Sequence, residues 1–318
     1  MLFCILWAWV FAWTDYASNT GYKEVIDYDF NLEIEKLGGN IYSFPKFKGF
    51  NYFKYTRAWK DFFNRHNEIR IVHGHITTLG FIYLRIAKKY SSIKKRIAHA
   101  RNSNKDNFLK YLLAKLSRFY ATELLAVSKY AALSEFGKRL TYNKVRVIPN
   151  GFDYEKYQFN QQKRAQIRKA LGLSDIDLIF LHVGRFHKQK NHIFLINLFN
   201  YFISNLSDAY LVLIGEGDEK KLIENLVHKF KLNKKVFFID AAHNVEEYYS
   251  ASDLLIFPSI YEGLPGVLIE SQINQLPVVA SNTITSEIVI SERVNLLDLA
   301  RGVENWGDFI AENKPYRD

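Results

Sequence analysis

The chain has 318 residues, a length that suits two α/β domains of about 150 residues each better than one. Apolar residues make up 48% of it, which excludes an intrinsically disordered protein, and the single cysteine excludes a disulfide framework and favours a reducing compartment. The formal net charge of +10 points to anionic partners, namely nucleic acid, an anionic membrane surface or anionic small molecules.

The basic residues are scattered and form neither a long run nor a nucleic-acid-binding motif, so nucleic acid is the least favoured of these partners. An anionic membrane surface is better supported, although a solvated basic surface fits the composition equally well. Residues 1–13 are all apolar or aromatic apart from Cys4, and they lack the basic start and cleavage site of a signal peptide. They are shorter than the roughly 18–20 residues that span a bilayer, so they predict either a buried strand around Phe3–Leu6 or a monotopic membrane anchor.

The next part of the chain alternates short apolar runs with helical patterns, which is typical of βαβ units and a parallel sheet. The predicted strands are Ile41–Phe44, Arg70–His73, Arg96–His99, Leu124–Val127 and Lys144–Ile148, and the predicted helices are Asn51–Asn64, Leu79–Lys89, Asn107–Tyr120 and Lys129–Arg139. Polar residues follow several of the strands: His73 and His75, His99 and Arg101, and Ser128. Ligands of open α/β sheets bind beyond the carboxyl ends of the strands, so these residues fall where a cleft is expected.

A turn at Pro149-Asn150-Gly151 closes this series, and we place the domain boundary there, with domains 1–151 and 152–318. The second domain is predicted to repeat the architecture after a polar helix at Gln161–Leu171. Its predicted strands are Leu178–Val183, Tyr210–Ile214, Val236–Ile239, Leu254–Phe257 and Pro277–Ala280, and its helices are Asn191–Ser204, Glu219–Phe230, Glu246–Ser250 and Gly266–Gln275. A last helix is expected to return towards the first domain.

Two loops carry chemistry, and the first is the basic loop that follows the strand ending at Val183. Gly184 permits a tight turn, and Arg185, Lys188 and Lys190 precede a helix that starts near Asn191. Guanidinium and ammonium groups beside the amide donors of a helix N-terminus suit a diphosphate. A solvated basic loop is the alternative interpretation.

The second is the acidic loop, in which Glu262 precedes Gly263, Leu264 and Pro265, and Glu270 lies in the following helix. A carboxylate can accept paired hydrogen bonds from vicinal sugar hydroxyls, so two acids near one loop could hold both ends of a nucleotide sugar. Glu270 stands among apolar residues, which is costly for a carboxylate without a partner. The plainer interpretation makes Glu262 a helix-terminus acid and Glu270 a surface residue.

Together the two loops resemble those of the retaining glycosyltransferases of family 4, which have the GT-B fold. Further segments match in order over nearly the whole chain: Ile71-Val72-His73-Gly74-His75, Arg96-Ile97-Ala98-His99, Val127-Ser128-Lys129 and Val147-Ile148-Pro149-Asn150-Gly151. The branch that looks most similar comprises bacterial enzymes of capsular, exopolysaccharide or cell-wall glycan assembly. The resemblance implies two Rossmann-like domains whose parallel sheets face a central cleft, with acceptor and donor sides.

The resemblance also implies roles. Arg185 and Lys190, with Gly184, would hold the donor diphosphate and stabilise its departure in place of a metal or other cofactor. Glu262 and the backbone of Gly263, Leu264 and Pro265 would hold the transferred sugar, and Glu270 would bind the ribose. His99 would bind the sugar or leaving phosphate, while His75, Ser128 and Asn150 are candidate acceptor or cleft residues. The expected activity is metal-independent, retaining transfer of a hexose-type sugar from a nucleotide-diphosphate sugar to a glycan or lipid-linked acceptor, in the cytoplasm or on the inner membrane face.

One departure from the family pattern is that the usual first βα unit is not recognised, since residues 1–6 align best with the second strand of a typical member. This raises the alternative of a truncated, non-catalytic nucleotide-sugar-binding protein. A sugar-nucleotide epimerase of the same fold is a second alternative. A metal-dependent glycosyltransferase of the other common fold usually carries Asp-x-Asp; Asp27-Tyr28-Asp29 and Asp175-Ile176-Asp177 match, but such triplets arise by chance and the second precedes its strand instead of ending one. No Cys/His cluster has zinc-ligand spacing, so a structural metal is not expected. A Rossmann dehydrogenase is disfavoured because no G-x-G-x-x-G follows a strand.

Overall fold

The computed structural model describes residues 31–101, 108–206, 208–240, 244–314 and 316–317. The apolar segment 1–13, the apparent loss of the first βα unit and the Asp27-Tyr28-Asp29 triplet therefore lie outside the described residues. The chain divides into two compact units, one ending at Ile148 and the other starting at Pro149, beside the boundary placed at 151 from the sequence.

The first unit is built on four parallel strands in the order β1-β2-β3-β4. The strands are β1 Ile71–Gly74, β2 Lys95–Ala100, β3 Glu123–Ala126 and β4 Val145–Val147. The helices are α1 Asn31–Lys36, α2 Tyr52–Arg65, α3 Thr77–Ala87, α4 Phe108–Ser117, α5 Lys129–Phe136 and α6 Lys138–Asn143. The predicted helix 129–139 is broken at Gly137, whose φ of +83° ends α5 and starts α6.

The strand predicted at Ile41–Phe44 is wrong, because this segment is irregular. The Phe44 ring stacks on Trp59 of α2 with centroids 4.1 Å apart, and Tyr42 meets Phe62 edge-on at 5.1 Å. The alternating aromatic residues thus pack against an amphipathic helix instead of pairing in the sheet. Period-2 apolar spacing is the same in both cases, so the sequence pattern alone does not separate them.

The second unit is built on six parallel strands in the order β10-β9-β8-β5-β6-β7. The strands are β5 Ile179–Val183, β6 Tyr210–Ile214, β7 Val236–Ile239, β8 Leu254–Phe257, β9 Val278–Ser281 and β10 Val294–Leu297, of which β10 was not predicted. The helices are α7 Tyr154–Tyr157, α8 Gln161–Ala170, α9 His192–Asn205, α10 Lys220–Lys229, α11 Val245–Ala251, α12 Gly266–Ile273 and α13 Gly302–Asn313, with short 3₁₀ turns at Lys188–Lys190, Ser286–Ile288 and Leu299–Arg301.

Both faces of this second sheet are buried, which explains why its strands read as continuous apolar runs. Phe180 belongs to the apolar cluster on one face and Leu181 to the cluster on the other, since successive side chains of a strand alternate. The last helix, α13, buries Trp306 and Ile310 in the first of these clusters, against α9.

Helix α8 is polar because it carries the arginines of a buried ion-pair network. Arg164 and Arg168 donate to opposite oxygens of the Asp253 carboxylate, at 2.7 and 2.6 Å, and Arg168 is 1% exposed. This network ties α8 to the start of β8. Within the described part of the chain, no helix combines the length and apolar character that crossing a bilayer requires.

Candidate functional site

The basic loop after β5 is held against a second glycine-rich loop after β6. The amide of Phe186 donates to the carbonyl of Glu216 at 2.8 Å. Gly215 and Gly217 have φ of +147° and +148°, and a Cβ on either would collide with the backbone of Gly184 or Phe186. Only glycine allows this close approach, so the path of the basic loop is fixed by its neighbour.

Lys190 ends the 3₁₀ turn of the basic loop and points back across Gly184. Its Nζ lies 2.8 Å from Oε1 of Glu262 and 4.4 Å from the centre of the Phe257 ring. A Cβ on Gly184 would be 3.0 Å from Lys190 Cε, so the absent side chain leaves room for the lysine stem. The basic and acidic loops identified in the sequence therefore meet in space.

Arg185 is exposed at the turn of the same loop. Its guanidinium has no hydrogen-bond or ion-pair partner among the residues that the structure describes. An exposed guanidinium and a largely buried ammonium group on one loop are a suitable pair for the oxygens of a diphosphate.

Gln189 joins the two loops and was not singled out from the sequence. Its side-chain Nε2 donates to the backbone carbonyl of Tyr261 at 2.9 Å. Its backbone carbonyl accepts from the backbone amide of Ile260 at 2.8 Å. These bonds fix the backbone just before Glu262, whose side chain is largely buried. A glutamine between two lysines gives no sequence signal for such a bridge.

The acidic loop leads into α12, which begins at Gly266 after Pro265 in the N-cap position. Gly263 and Pro265 are buried and Leu264 is partly buried. The first amide groups of a helix have no acceptor within the helix, so the start of α12 offers hydrogen-bond donors a few residues after Glu262.

Glu270 lies in α12 and is partly buried, contrary to the interpretation of a surface residue. The buried Tyr249 of α11 donates its hydroxyl to Oε2 at 2.7 Å, which supplies the partner that the apolar surroundings require. The other oxygen, Oε1, lies 3.5 Å from where a Cβ on Gly266 would stand, so the carboxylate reaches back to the start of its helix. Burial raises the pKa of Glu270 above its ordinary value, and the Tyr249 hydrogen bond acts in the opposite sense.

In the first unit, three histidines meet at the carboxyl ends of neighbouring strands. His73 lies on β1 and His99 on β2, and His75 follows the last residue of β1. Nε2 of His73 lies 3.1 Å from Nδ1 of His99, and the ring centres of His73 and His75 are 4.3 Å apart. Burial lowers the pKa of His75 to about 3 and of His99 to about 4, with smaller contributions from the neighbouring imidazoles and Arg101. These imidazoles are therefore neutral near pH 7.

Ser128 and Asn150 are the two remaining residues that the sequence suggested for the acceptor side or the cleft. Ser128 caps α5, because its Oγ accepts from the amide of Ala131 at 3.0 Å. Asn150 lies in the irregular segment after β4, at the start of the second unit, and is partly buried.

A basic cleft lies at the opposite edge of the first sheet, by the amino ends of β3 and β4. It encloses about 660 Å³. Its charged lining consists of one acid, Glu123, and six basic residues: Lys115, Arg118, Lys138, Arg139, Lys144 and Arg146. Glu123 is already paired with Lys95 and Arg146, at 2.9 and 3.5 Å. The basic residues look scattered in the sequence because they come from α4, α6, β4 and the single residues that follow the two helices.

A family model described as "Glycosyl transferases group 1" matches residues 163–297. EpsF of Bacillus subtilis (strain 168), named as a glycosyltransferase, is 30% identical over 292 residues, which cover 89% of this chain and 76% of EpsF. The capsular polysaccharide biosynthesis glycosyltransferase CapH of Staphylococcus aureus is 27% identical over 263 residues, 79% of this chain and 68% of CapH.

Among solved structures, the crystal structure of Anabaena Alr3699/HepE in complex with UDP-glucose superposes with a TM-score of 0.73. The match covers 91% of this chain and 80% of that one at 16% sequence identity, so it establishes a common fold.

Proposed function

Because the chain belongs to the glycosyl transferases of group 1 and has a GT-B-like fold, we propose that it transfers a hexose-type sugar from a nucleotide-diphosphate sugar to a glycan or lipid-linked acceptor. Glycosyl transfer in bacterial polysaccharide biosynthesis is the activity of its family. Beyond this activity, we propose the donor, the acceptor, the stereochemistry and the roles of individual residues.

The observation that carries the proposal is the 2.8 Å contact between Lys190 Nζ and Glu262 Oε1. It brings the cation suited to a phosphate and the carboxylate suited to a sugar hydroxyl into one small region. A nucleotide-diphosphate sugar presents these two chemistries side by side, with the sugar joined directly to the outer phosphate. An isolated basic loop would offer only the phosphate-binding cation.

Departure of a nucleoside diphosphate builds negative charge on the phosphate oxygen that leaves the sugar. We assign Arg185 and Lys190 to this oxygen, since fixed positive charges there would stabilise the transition state more than the ground state. We assign them the neutralising role that a divalent cation has in other transferases, so transfer should proceed without added metal. HepE binds UDP-glucose, and a uridine diphosphate sugar is the first donor to test.

Glu262 is assigned to the hydroxyls of the transferred sugar, and the amides of Gly263, Leu264 and Gly266 to the same sugar or its phosphate. Glu270 is assigned to the ribose, because Tyr249 donates to one carboxylate oxygen and the other lies near the start of the helix, and Tyr157 also hydrogen-bonds to the carboxylate and stabilises its charged form. His99 receives its role, a hydrogen bond to the sugar or the leaving phosphate, from the family resemblance. Retention of the anomeric configuration, through front-face attack assisted by the leaving phosphate, is proposed on the same ground.

We further propose that the protein works in the cytoplasm at the inner membrane surface. The basic cleft supports this, because Lys138, Arg139 and Lys144 are exposed beside it and Phe119 and Tyr142 stand 61% and 58% exposed nearby. Cationic groups interleaved with exposed aromatic rings suit an anionic lipid surface.

The function is tested with a panel of UDP- and GDP-sugars. At least one of these sugars should raise the melting temperature of the protein. The same sugar should be consumed when a membrane extract or a short glycan is supplied as acceptor. The anomeric configuration of the transferred sugar in the product should match that of the donor. Arg185→Ala should weaken donor binding by about 10–100-fold, the worth of a charge-assisted hydrogen bond. Stabilisation by no donor would refute the proposal, and donor isomerisation without acceptor would identify an epimerase. A protein that binds donor but never turns it over would be a non-catalytic relative.

A further inference from the structure

Arg317, which follows the last helix of the second unit, joins the carboxyl ends of two other helices. Its Nη2 donates to Oδ1 of Asn274 at 2.6 Å and to the carbonyl of Tyr249 at 3.3 Å. Asn274 ends α12, and Tyr249 lies in the last turn of α11. The carboxyl end of a helix has unpaired carbonyls and a partial negative charge, and both suit an arginine. Burial lowers the pKa of Arg317 to about 10, so the guanidinium is charged at neutral pH.

The carbonyl of Tyr249 depends on this donor. In a regular helix it would accept from the amide four residues later, that of Asp253, but this amide donates to the carbonyl of Ile179 at 2.9 Å. Tyr249 is buried, and a buried carbonyl without a partner is costly. Arg317 therefore fixes the backbone of the residue whose hydroxyl donates to Glu270.

Asn274 extends the connection to the second tyrosine beside Glu270. The Asn274 side chain is buried, and its Nδ2 donates to the backbone carbonyl of Tyr157 at 3.0 Å. The side chain of Tyr157 hydrogen-bonds to the Glu270 carboxylate. Arg317 and Asn274 thus hold the backbones of both tyrosines whose side chains contact that carboxylate.

We propose that Arg317 is a positioning residue of the donor site, which orients Glu270 towards the ribose through Asn274 and the two tyrosines. The inference rests on the proposed function, because it takes the ribose as the ligand of Glu270. Orientation matters here, since a hydrogen bond weakens steeply when donor and acceptor are misaligned. A guanidinium suits the task because it donates in several fixed directions, including from Nε to the carbonyl of Ser252 at 3.3 Å.

The fold around α11 does not depend on Arg317 alone. Arg164 of α8 donates to the carbonyl of Ala251 at 3.0 Å and to the Asp253 carboxylate at 2.7 Å. The end of α11 therefore stays attached to α8 when Arg317 is replaced. We expect variants of Arg317 to fold, with an effect that falls on the carboxylate of Glu270.

The test measures how strongly the full-length protein distinguishes a ribose from a sugar without the two hydroxyls. Calorimetry gives the dissociation constants of UDP and GDP and of their 2′,3′-dideoxy forms. The wild-type protein should bind at least one ribonucleotide about 10–100-fold more tightly than its dideoxy form, the worth of hydrogen bonds to a charged group. Arg317→Lys retains the charge and should reduce this ratio by about three- to tenfold, and Arg317→Ala at least as much. Affinity for the dideoxy form should stay unchanged.

A double-mutant cycle separates positioning from general stabilisation. In a Glu270→Gln background, Arg317→Lys should cause no further loss of discrimination, because both changes act through one carboxylate. Arg301→Ala is the matched control, since Arg301 is an exposed arginine just before α13. It should leave the ratio at its wild-type value.

Three results would overturn the positioning role while leaving donor binding intact. They are a wild-type ratio in both Arg317 variants, an equal loss of affinity for the ribose and dideoxy forms, and the same loss of discrimination with and without Glu270. A wild-type protein that binds the ribose and dideoxy forms equally would remove Glu270 from the ribose, and the role of Arg317 with it. A wild-type protein that binds none of these nucleotides would refute the proposed function itself.

Discussion

Lys190 and Glu262, 72 positions apart in the sequence, form an ion pair of 2.8 Å whose side chains are only 15% and 10% exposed. Neither charge is left without compensation before a donor binds. A diphosphate that attracts Lys190 would release the carboxylate to accept hydrogen bonds from the sugar. Under the proposed function, the pair would couple recognition of the phosphate to recognition of the sugar.

The first prediction concerns Glu262→Gln, which keeps the shape of the side chain and removes its charge. We expect kcat to fall about 100–1000-fold, the scale of removing one preorganised electrostatic contact, while donor affinity changes much less. Initial rates over a range of donor concentrations measure both quantities. Glu312→Gln, an exposed acid on α13, is the control and should leave both unchanged. A Glu262 variant with normal kcat would remove this residue from the reacting centre.

The second prediction concerns Glu270 and the pH dependence of donor binding. In the proposed role its ionised form would accept hydrogen bonds from ribose hydroxyls, so donor affinity should fall as the pH decreases through the raised pKa of Glu270. The Tyr249 hydroxyl stabilises the carboxylate, so Tyr249→Phe should move the midpoint of this loss to higher pH. Calorimetric titration of the protein with donor between pH 5 and 8 would measure this midpoint.

Tyr248→Phe, on the neighbouring residue of α11, is the matched control for Tyr249→Phe and should not move the midpoint. Donor affinity independent of pH in the wild-type protein, or a midpoint that moves to lower pH in Tyr249→Phe, would contradict the assignment of Glu270.

The fold could be predicted from the sequence to a large extent, because parallel strands buried on both faces leave unmistakable apolar runs. Tyr210–Ile214, Val236–Ile239 and Leu254–Phe257 were predicted with the bounds that the structure has. The errors arose where the same pattern has two physical causes. Ile41–Phe44 alternates because it packs on a helix, and β10 was missed because its polar and apolar residues do not form a continuous run.

The sequence identified those candidate site residues whose charge and position at a strand end or in a helix already indicate their chemistry. Arg185, Lys190, Glu262 and Glu270 all stood out as charges placed at strand ends or on an apolar helix. Gln189 and Tyr249 did not, since their roles depend on partners 72 and 21 positions away. The basic cleft was not predicted for the same reason. His73, His75 and His99 were predicted to lie at strand ends beside a cleft, and the structure adds that they contact one another.

The third prediction concerns Glu135, a buried acid of the first unit whose Oε2 has no partner among the described residues. Burial raises the pKa of Glu135 from 4.5 to about 8. The folded protein therefore keeps this proton at a pH where the unfolded chain has lost it. The resulting contribution to stability is complete below about pH 4.5 and is lost as the pH rises towards 8.

Glu135→Gln should remove this dependence. Relative to the variant, the wild-type protein should lose about 3–4 kcal/mol of unfolding free energy between pH 5 and pH 8. Urea denaturation at several pH values measures the difference, with Glu312→Gln again as control. A difference between wild type and Glu135→Gln that stays constant with pH would show that Glu135 ionises normally.

The fourth prediction tests the basic cleft as a membrane-binding surface. Cosedimentation with vesicles of phosphatidylglycerol and phosphatidylcholine should show binding that weakens as salt increases, because the charges are exposed. Each exposed basic group near an anionic surface contributes about 1 kcal/mol, so the double variant Lys138→Glu, Arg139→Glu should reduce binding by more than about tenfold. Lys221→Glu, Lys229→Glu introduces the same change of net charge on α10 of the second unit and should reduce binding far less. Equal losses in the two double variants would mean that net charge alone, and not the cleft, attracts the protein to lipid.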